Sequence, residues 1–169
     1  MPVTDNGVSY VSDKPLLVAF NCDSVNEIPA DYFVNNPNLA SVSMMNAKII
    51  GDRAFMNVPL NDEFYYDGIE VVGDYAFYGT EISSIDTYCI KEIGDYAFAN
   101  CSYLSIAYIY NDEYLYEGTG EIKLGKGIFE NDTKLARAYL MNNAISLPDY
   151  TFKNCTKLNW VLFDDVKRP

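Results

Sequence analysis

The chain has 169 residues, with 24 acidic and 12 basic side chains and no histidine. The missing histidine excludes a Ser-His-Asp triad, a Cys-His pair and an imidazole metal ligand. A net charge of −12 argues against direct binding to nucleic acid or to an anionic membrane, because phosphates bind to positive surfaces. A hydrophobic share of 49% at this length predicts one globular domain.

Residues 1–24 form a segment without the pattern found in the rest of the chain. The first residues lack the basic and apolar regions of a secretory signal, which predicts a cytoplasmic protein. The alternative is a secreted or cell-surface protein whose signal precedes this sequence. The apolar residues 16–20 predict a strand that caps the core, with residues 8–11 as a second strand paired with it.

Six phenylalanines then share one frame, at spacings of 22, 22, 21, 31 and 23 residues. They are Phe33, Phe55, Phe77, Phe98, Phe129 and Phe152. Each follows an aliphatic residue by five positions and precedes Asn or Gly by two and Leu or Ile by five or six. A unit this short buries its apolar groups only by stacking on the next one. Residues 25–163 are therefore predicted to form six repeats of a solenoid.

Each column of the repeat predicts a local structure. Gly or Pro follows the aliphatic residue and interrupts extended chain. A nearby Asp is expected to cap a short helical turn such as residues 96–99. The Asn or Gly after Phe suits a left-handed residue that ends this turn. Alternating residues beyond the Leu predict one strand per repeat, and successive strands pair in parallel.

Two units carry a family resemblance: residues 93–104, IGDYAFANCSYL, and residues 147–158, LPDYTFKNCTKL. They resemble leucine-rich repeats of the bacterial surface-antigen, or BspA-like, type, and the resemblance covers about residues 25–163. It implies an α/β solenoid with a parallel sheet on the concave face and short helical turns on the convex face. It also implies protein binding and adhesion in place of catalysis. The chain departs from the family in its short length, its lack of a visible signal and an insertion after the fourth unit.

The insertion, residues 111–120, combines acidic and tyrosine side chains. Loops added to a repeat array often lie at the binding surface, although a tolerated loop without function is the alternative. Outward positions on the predicted strands carry residue types that are common in protein interfaces. Together these two regions supply the predicted partner-binding residues: Tyr65, Asp67, Asp86, Tyr88, Tyr108, Tyr110, Asp112, Glu113, Tyr114, Tyr116, Arg137, Tyr139 and Trp160.

Tyr108 and Tyr139 are expected to stack on neighbouring strands, about 4.8 Å apart. The alternative interpretation of these residues is that tyrosine is simply a good strand former that packs across a sheet. The exposed Trp160 is not explained by that alternative, although it could belong to an interface at the C-terminal end.

Charge is unevenly distributed, with 19 acidic and 4 basic residues in 1–122 against 5 acidic and 8 basic residues in 123–169. The leading prediction is a non-enzymatic protein-interaction module without cofactor, metal, membrane or direct nucleic-acid contacts. Its partner is a protein, and the acidic body is compatible with a basic one. One alternative is a small acidic intracellular inhibitor, of phage or mobile-element type, that blocks a basic nucleic-acid-handling complex. Another is a fragment of a bacterial surface adhesin.

The C-terminal tail, residues 164–169, follows the last predicted strand directly. Its charges and proline would blunt an exposed edge, but a thin cap also leaves this edge open for a homodimer. The four cysteines, Cys22, Cys89, Cys101 and Cys155, lack metal-ligand spacing. They are interpreted as structural thiols in preference to disulfides.

Overall fold

The computed structural model describes residues 4–5, 8–9, 14–21, 23–61, 64–65, 68–110, 122–141 and 147–164. Strands β1 (Thr4–Asp5) and β2 (Val8–Ser9) pair antiparallel, and every other described strand belongs to one of two parallel columns. The long-strand column consists of β3 (Ala19–Asn21), β5 (Ser41–Ser43), β7 (Phe64–Tyr65), β9 (Ser84–Thr87), β11 (Ile106–Tyr110), β13 (Arg137–Met141) and β14 (Trp160–Asp164). The short-strand column consists of β4 (Glu27–Ile28), β6 (Ile49–Ile50), β8 (Val71–Val72), β10 (Glu92–Ile93) and β12 (Lys123–Leu124).

The chain is a repeat solenoid of parallel strands, as the sequence predicts. Each repeat passes from a short strand through a series of turns into a long strand, and β7, β9, β11, β13 and β14 form one five-stranded sheet. The short-strand column was not predicted. It arises because the buried aliphatic residue of each unit pairs with its equivalent in the next unit, as Ile28 does with Ile50.

The glycines of the repeat serve this close stacking. The N–H of Gly51 donates to the carbonyl of Ile28 at 2.8 Å, and a Cβ placed on Gly94 would lie 2.6 Å from the backbone nitrogen of Asp74. A larger residue would push the repeats apart. Pro148 has no N–H for this ladder, and the described residues contain no sixth short strand after β12.

The predicted helical turns are wrong, and with them the α part of the predicted class, because no helix forms among the described residues. Each series of turns contains two left-handed residues instead. One of them lies two positions after Phe, where the sequence predicts a left-handed Asn or Gly. The prediction is confirmed in all six repeats, with φ between 57° and 71°: Asn35, Asn57, Gly79, Asn100, Asn131 and Asn154. The other lies two positions before Phe, and its left-handed conformation was not predicted: Asp31, Arg53, Tyr75, Tyr96, Gly127 and Tyr150.

Hydrogen bonds between repeats hold these left-handed residues. The N–H groups of Tyr75, Phe77 and Gly79 all donate to carbonyls of the next repeat, at 2.8 to 2.9 Å. The Asp that was expected to cap each turn also bonds to the next repeat: the carboxylate of Asp95 accepts the N–H of Lys126 at 3.0 Å. The expected role of this Asp as a cap for residues 96–99 is therefore wrong.

A ladder of phenylalanine rings runs through the core. Neighbouring rings from Phe33 to Phe152 lie 4.8 to 6.2 Å apart and within 20° of parallel. At the N-terminal end Phe20 packs edge-on against Phe33, with ring centroids 5.5 Å apart. Phe20 belongs to β3, which pairs in parallel with β5. The predicted pairing of residues 8–11 with residues 16–20 is wrong for the described residues, since β2 pairs with β1.

Cys101 and Cys155 are free thiols, Cys89, Cys101 and Cys155 are all buried, and Cys22 lies outside the described residues. No helix in the described part of the chain is long and apolar enough to cross a membrane.

Candidate protein-binding surface

The strand register brings the outward side chains of the long strands into rows. Alternate residues of β11 and β13 are buried, so Tyr108 and Tyr139 face outward between them. We call the outward set the tyrosine face: Ser84, Asp86, Tyr88, Ile106, Tyr108, Tyr110, Arg137, Tyr139, Trp160 and Leu162. One row joins Ser84, Ile106, Arg137 and Trp160, and the next joins Asp86, Tyr108, Tyr139 and Leu162.

Two tyrosine pairs form the centre of this face. The rings of Tyr108 and Tyr139 stack with centroids 4.5 Å apart and planes 15° apart, which confirms the predicted stack. Tyr88 and Tyr110 meet edge to face, with centroids 4.4 Å apart. All four are half-buried, so the rings pack against each other while part of each side chain stays accessible.

Asp86 places a carboxylate beside these rings. It is half-buried, lies opposite Tyr108 in the strand register, and accepts a hydrogen bond from the Tyr88 hydroxyl at 3.4 Å.

Arg137 and Trp160 extend the face toward the last repeat. They are neighbours in the register, Arg137 is exposed, and Trp160 is 55% exposed. Trp, Tyr and Arg are the residues that most often carry the binding energy of protein interfaces. The structure therefore offers rigid aromatic area flanked by one negative and one positive side chain.

Seven of the predicted binding residues lie on this one face: Asp86, Tyr88, Tyr108, Tyr110, Arg137, Tyr139 and Trp160. The backbone of Tyr65 continues the central row by pairing with Asp86. The other predicted residues lie outside the described residues: Asp67, Asp112, Glu113, Tyr114 and Tyr116.

A second tyrosine surface on the turns was missed from the sequence. Tyr75 and Tyr96 occupy left-handed positions, and their rings stack 5.1 Å apart. The ammonium group of Lys126 lies 5.8 Å from the centroid of Tyr96, and burial raises the pKa of Tyr75. Three repeats carry a Tyr two residues before Phe. This pattern predicts a surface of stacked rings only once the backbone conformation of that position is known.

Ion pairs outside the tyrosine face use several of the few basic residues. Glu70 accepts hydrogen bonds from Lys91 at 2.7 Å and Lys48 at 3.1 Å, and these two partners lower its pKa. Arg53 binds Asp31 in a bidentate pair, with both N–O distances at 2.8 Å. Such exposed pairs contribute little stability individually. They link consecutive repeats, and none of their residues belongs to the tyrosine face.

The described residues contain no group of three His, Cys, Asp or Glu side chains that could hold a metal ion. A groove beside the first repeat, lined by Val34, Met56, prolines and asparagines, has no titratable side chain among its lining residues. Asp132, whose carboxyl pKa is strongly raised by burial, lies fully buried in the core, where no substrate reaches it.

Comparisons with known proteins agree with this architecture. The family model described as the BspA type leucine rich repeat region matches residues 26–159 with six copies. A leucine-rich repeat protein from Bacteroides ovatus has a similar fold, with a TM-score of 0.69 at 24% sequence identity. The similarity covers 86% of this chain but 37% of the Bacteroides ovatus chain. No curated protein matches the chain. Since the family model covers most of its length, this chain belongs to the BspA-type leucine-rich repeat family.

Proposed function

We propose that the protein is a non-enzymatic protein-interaction module that binds its partner through the tyrosine face. The observation that carries this proposal is the placement of Tyr108, Tyr139, Arg137 and Trp160 in register on one sheet surface. The family of repeats supports an interaction role in general terms. The acidic insertion, residues 111–120, is proposed as a second contact, because inserted loops in repeat arrays often lie at the binding surface.

The geometry indicates how binding energy would arise. The stacked tyrosines lose little conformational freedom on binding, since packing already restricts their rings. Trp160 and Ile106 supply apolar area around them, while the exposed Arg137 gives directional contacts that select one orientation of the partner.

The triple variant Tyr108→Ala/Tyr139→Ala/Trp160→Ala tests this proposal. The matched control is Tyr103→Ala, which removes a 50% exposed tyrosine whose ring contacts Lys134 on a turn outside the tyrosine face. Proteins captured from the native host by the wild-type chain are identified by mass spectrometry, purified and titrated against each variant. We expect the triple variant to bind at least about 30-fold more weakly and the control to bind unchanged. Equal affinity for all three proteins would refute the assignment of the face.

A second candidate function is the acidic inhibitor of a basic nucleic-acid-handling complex. Its support is the charge of residues 1–122, which hold 19 acidic and 4 basic side chains. Binding of this kind weakens steeply as salt is added and competes with nucleic acid for the partner. An affinity that is unchanged by salt and by added nucleic acid would exclude this candidate.

A third candidate is a surface adhesin fragment, which follows the BspA-type repeats. It requires the protein on the outside of the cell. Labelling of intact cells with an antibody against the chain supports this candidate if the surface stains, and a signal confined to lysed cells excludes it.

A further inference from the structure

Ion pairs occupy most of the basic side chains of the repeats. Each joins a Lys or Arg to a carboxylate of a neighbouring repeat at 2.7 to 3.7 Å, and the basic members are Lys48, Arg53, Lys91, Lys123, Lys126 and Lys153. Among the described residues of the repeats, the basic side chains without a carboxylate partner are Lys134, Arg137 and Lys157. All three are exposed and lie in the fifth and sixth repeats. We call this set the cationic corner.

The cationic corner borders the tyrosine face. Arg137 is the first residue of β13 and lies between Ile106 and Trp160 in the strand register. Lys134 precedes Arg137 by three positions, in the turn that leads into this strand. The repeats on both sides of these two residues are described, and the positions beside Arg137 carry apolar residues in place of acids. The missing ion pairs are therefore a property of an inner repeat.

Lys134 and Lys157 occupy equivalent positions on adjacent repeats. The hydroxyl of Thr156 donates to the carbonyl of Thr133 at 3.4 Å, directly before the two lysines in the chain. Adjacent strands of parallel sheets lie about 4.8 Å apart, so these repeats place two like charges at neighbouring positions. Like charges repel, and a bound anion removes that repulsion. The ammonium group of Lys134 also lies 4.2 Å from the ring centroid of Tyr103, an uncharged partner that leaves its net charge in place.

The surrounding acids limit the size of an anionic ligand. Glu81 precedes the core residue of its repeat as Lys134 does, but the repeat that carries Tyr103 lies between them. Asp86 is on β9, two strands away from β13. The three positions from Lys134 to Arg137 span about 10 Å, the length of about three extended residues. Residues 1–122 hold 19 acidic and 4 basic side chains and would repel a long polyanion that continued along the solenoid.

We propose that the cationic corner binds a short acidic segment of the protein partner, an inference that rests on the function proposed above. One carboxylate of this segment forms a bidentate pair with Arg137, because a planar guanidinium group suits that geometry. A second carboxylate, two or three residues away, lies between Lys134 and Lys157. An apolar side chain next to the first carboxylate contacts Trp160 on the tyrosine face. The corner thus selects an acidic ligand although the net charge of the whole chain is −12.

Peptide selection tests this proposal without knowledge of the natural partner. A library of short random peptides displayed on phage is selected for binding to the wild-type chain. We expect the selected peptides to carry more acidic than basic residues, with an acid next to an aromatic or aliphatic residue. Selected peptides without an acidic excess, or a selection that enriches no peptide, would overturn the proposal.

Charge-matched variants locate the binding site of the most enriched peptide. Lys134→Gln/Arg137→Gln removes two charges from the corner, and Lys123→Gln/Arg53→Gln removes one lysine and one arginine charge from exposed sites elsewhere. Circular dichroism checks that both variants are folded. By fluorescence anisotropy of the labelled peptide, we expect the first variant to bind at least about tenfold more weakly and the second to bind as the wild type does. Equal affinities of the two variants would refute the corner, as would tighter binding of labelled single-stranded DNA than of the peptide.

The natural partner, titrated against the same variants, separates this inference from the proposed function. A partner that Tyr108→Ala/Tyr139→Ala/Trp160→Ala no longer binds, but that Lys134→Gln/Arg137→Gln binds normally, supports the tyrosine face and refutes the acidic segment. A partner that only the charge variant fails to bind supports the corner and refutes the tyrosine face. Tyr103→Ala keeps all three charges of the corner and remains a control in both cases.

Discussion

A buried carboxyl group makes the stability of this protein depend on pH in an unusual direction. Asp132 is fully buried three residues after Phe129. Its Oδ1 accepts the N–H of Cys101 at 2.7 Å, while Oδ2 has no hydrogen-bond partner among the described residues. Burial raises the pKa of Asp132 from its ordinary value of 3.8 to about 9. The carboxyl group is therefore protonated in the folded protein at neutral pH.

The sign of the effect follows from the raised pKa. The folded state holds the proton more tightly than the unfolded state, so this contribution to stability is complete below pH 4 and is lost as the pH rises toward 9. Each pH unit in this interval removes about 1.4 kcal/mol, which amounts to about 3 kcal/mol between pH 5 and pH 7. The chain has no histidine, and the lowered pKa values of Asp31 and Glu70 place their titration below this window.

Asp132→Asn isolates this effect. The Asn amide oxygen still accepts the N–H of Cys101, and the side chain can no longer ionise. The equivalent position of the first repeat shows that the column accommodates an amide, since Asn36 donates to the carbonyl of Phe33 at 2.8 Å. We expect the variant to be more stable than the wild type by up to about 4 kcal/mol at pH 7, and by much less at pH 5.

Urea unfolding at pH 5, 6 and 7, followed by circular dichroism, measures this difference. The control is Asp149→Asn, which removes an exposed carboxylate in the next repeat and should keep the pH dependence of the wild type. A wild-type free energy of unfolding that is equal at pH 5 and pH 7 would refute the reasoning, as would an Asp132→Asn variant with the wild-type slope.

Three further predictions concern the core. Gly94→Ala should destabilise the protein severely, because a Cβ there would meet the backbone of the preceding repeat at 2.6 Å, while Gly68→Ala, whose nearest atom is 3.9 Å away, should leave Tm unchanged; equal Tm values for both variants would contradict the close-stacking explanation. Phe77→Ala should lower the free energy of unfolding by about 4 kcal/mol, and Phe152→Ala by clearly less, because its ring is only partly buried; urea unfolding measures both. Burial raises the pKa of Cys155 to about 12, so its thiol should resist iodoacetamide at neutral pH until the chain unfolds; rapid labelling of folded protein, detected by mass spectrometry, would count against this environment.

The repeat, the parallel long strands and the direction of their side chains could be predicted from the amino-acid sequence alone. These features follow from local patterns: a core residue at a fixed interval, and alternation that needs one buried face. Tyr108 and Tyr139 could be placed as a stacked pair because their spacing equals the length of one repeat with its insertion. Asn100 and its equivalents signalled left-handed residues, because Asn adopts that conformation readily.

The form of the turns and the environment of individual side chains depend instead on contacts between repeats. Tyr75 and Tyr96 adopt a backbone conformation that costs a non-glycine residue about 1 kcal/mol, and no local signal predicts it. Their N–H groups bond to carbonyls of the next repeat, so this conformation is favoured only after two repeats stack, and it replaces the expected helical turn. The burial of Asp132 and the exposure of Val161 likewise depend on whether another repeat lies beside them. The presence of a neighbouring repeat is determined by stacking along the solenoid. The sequence of a single repeat therefore does not predict the burial of these side chains.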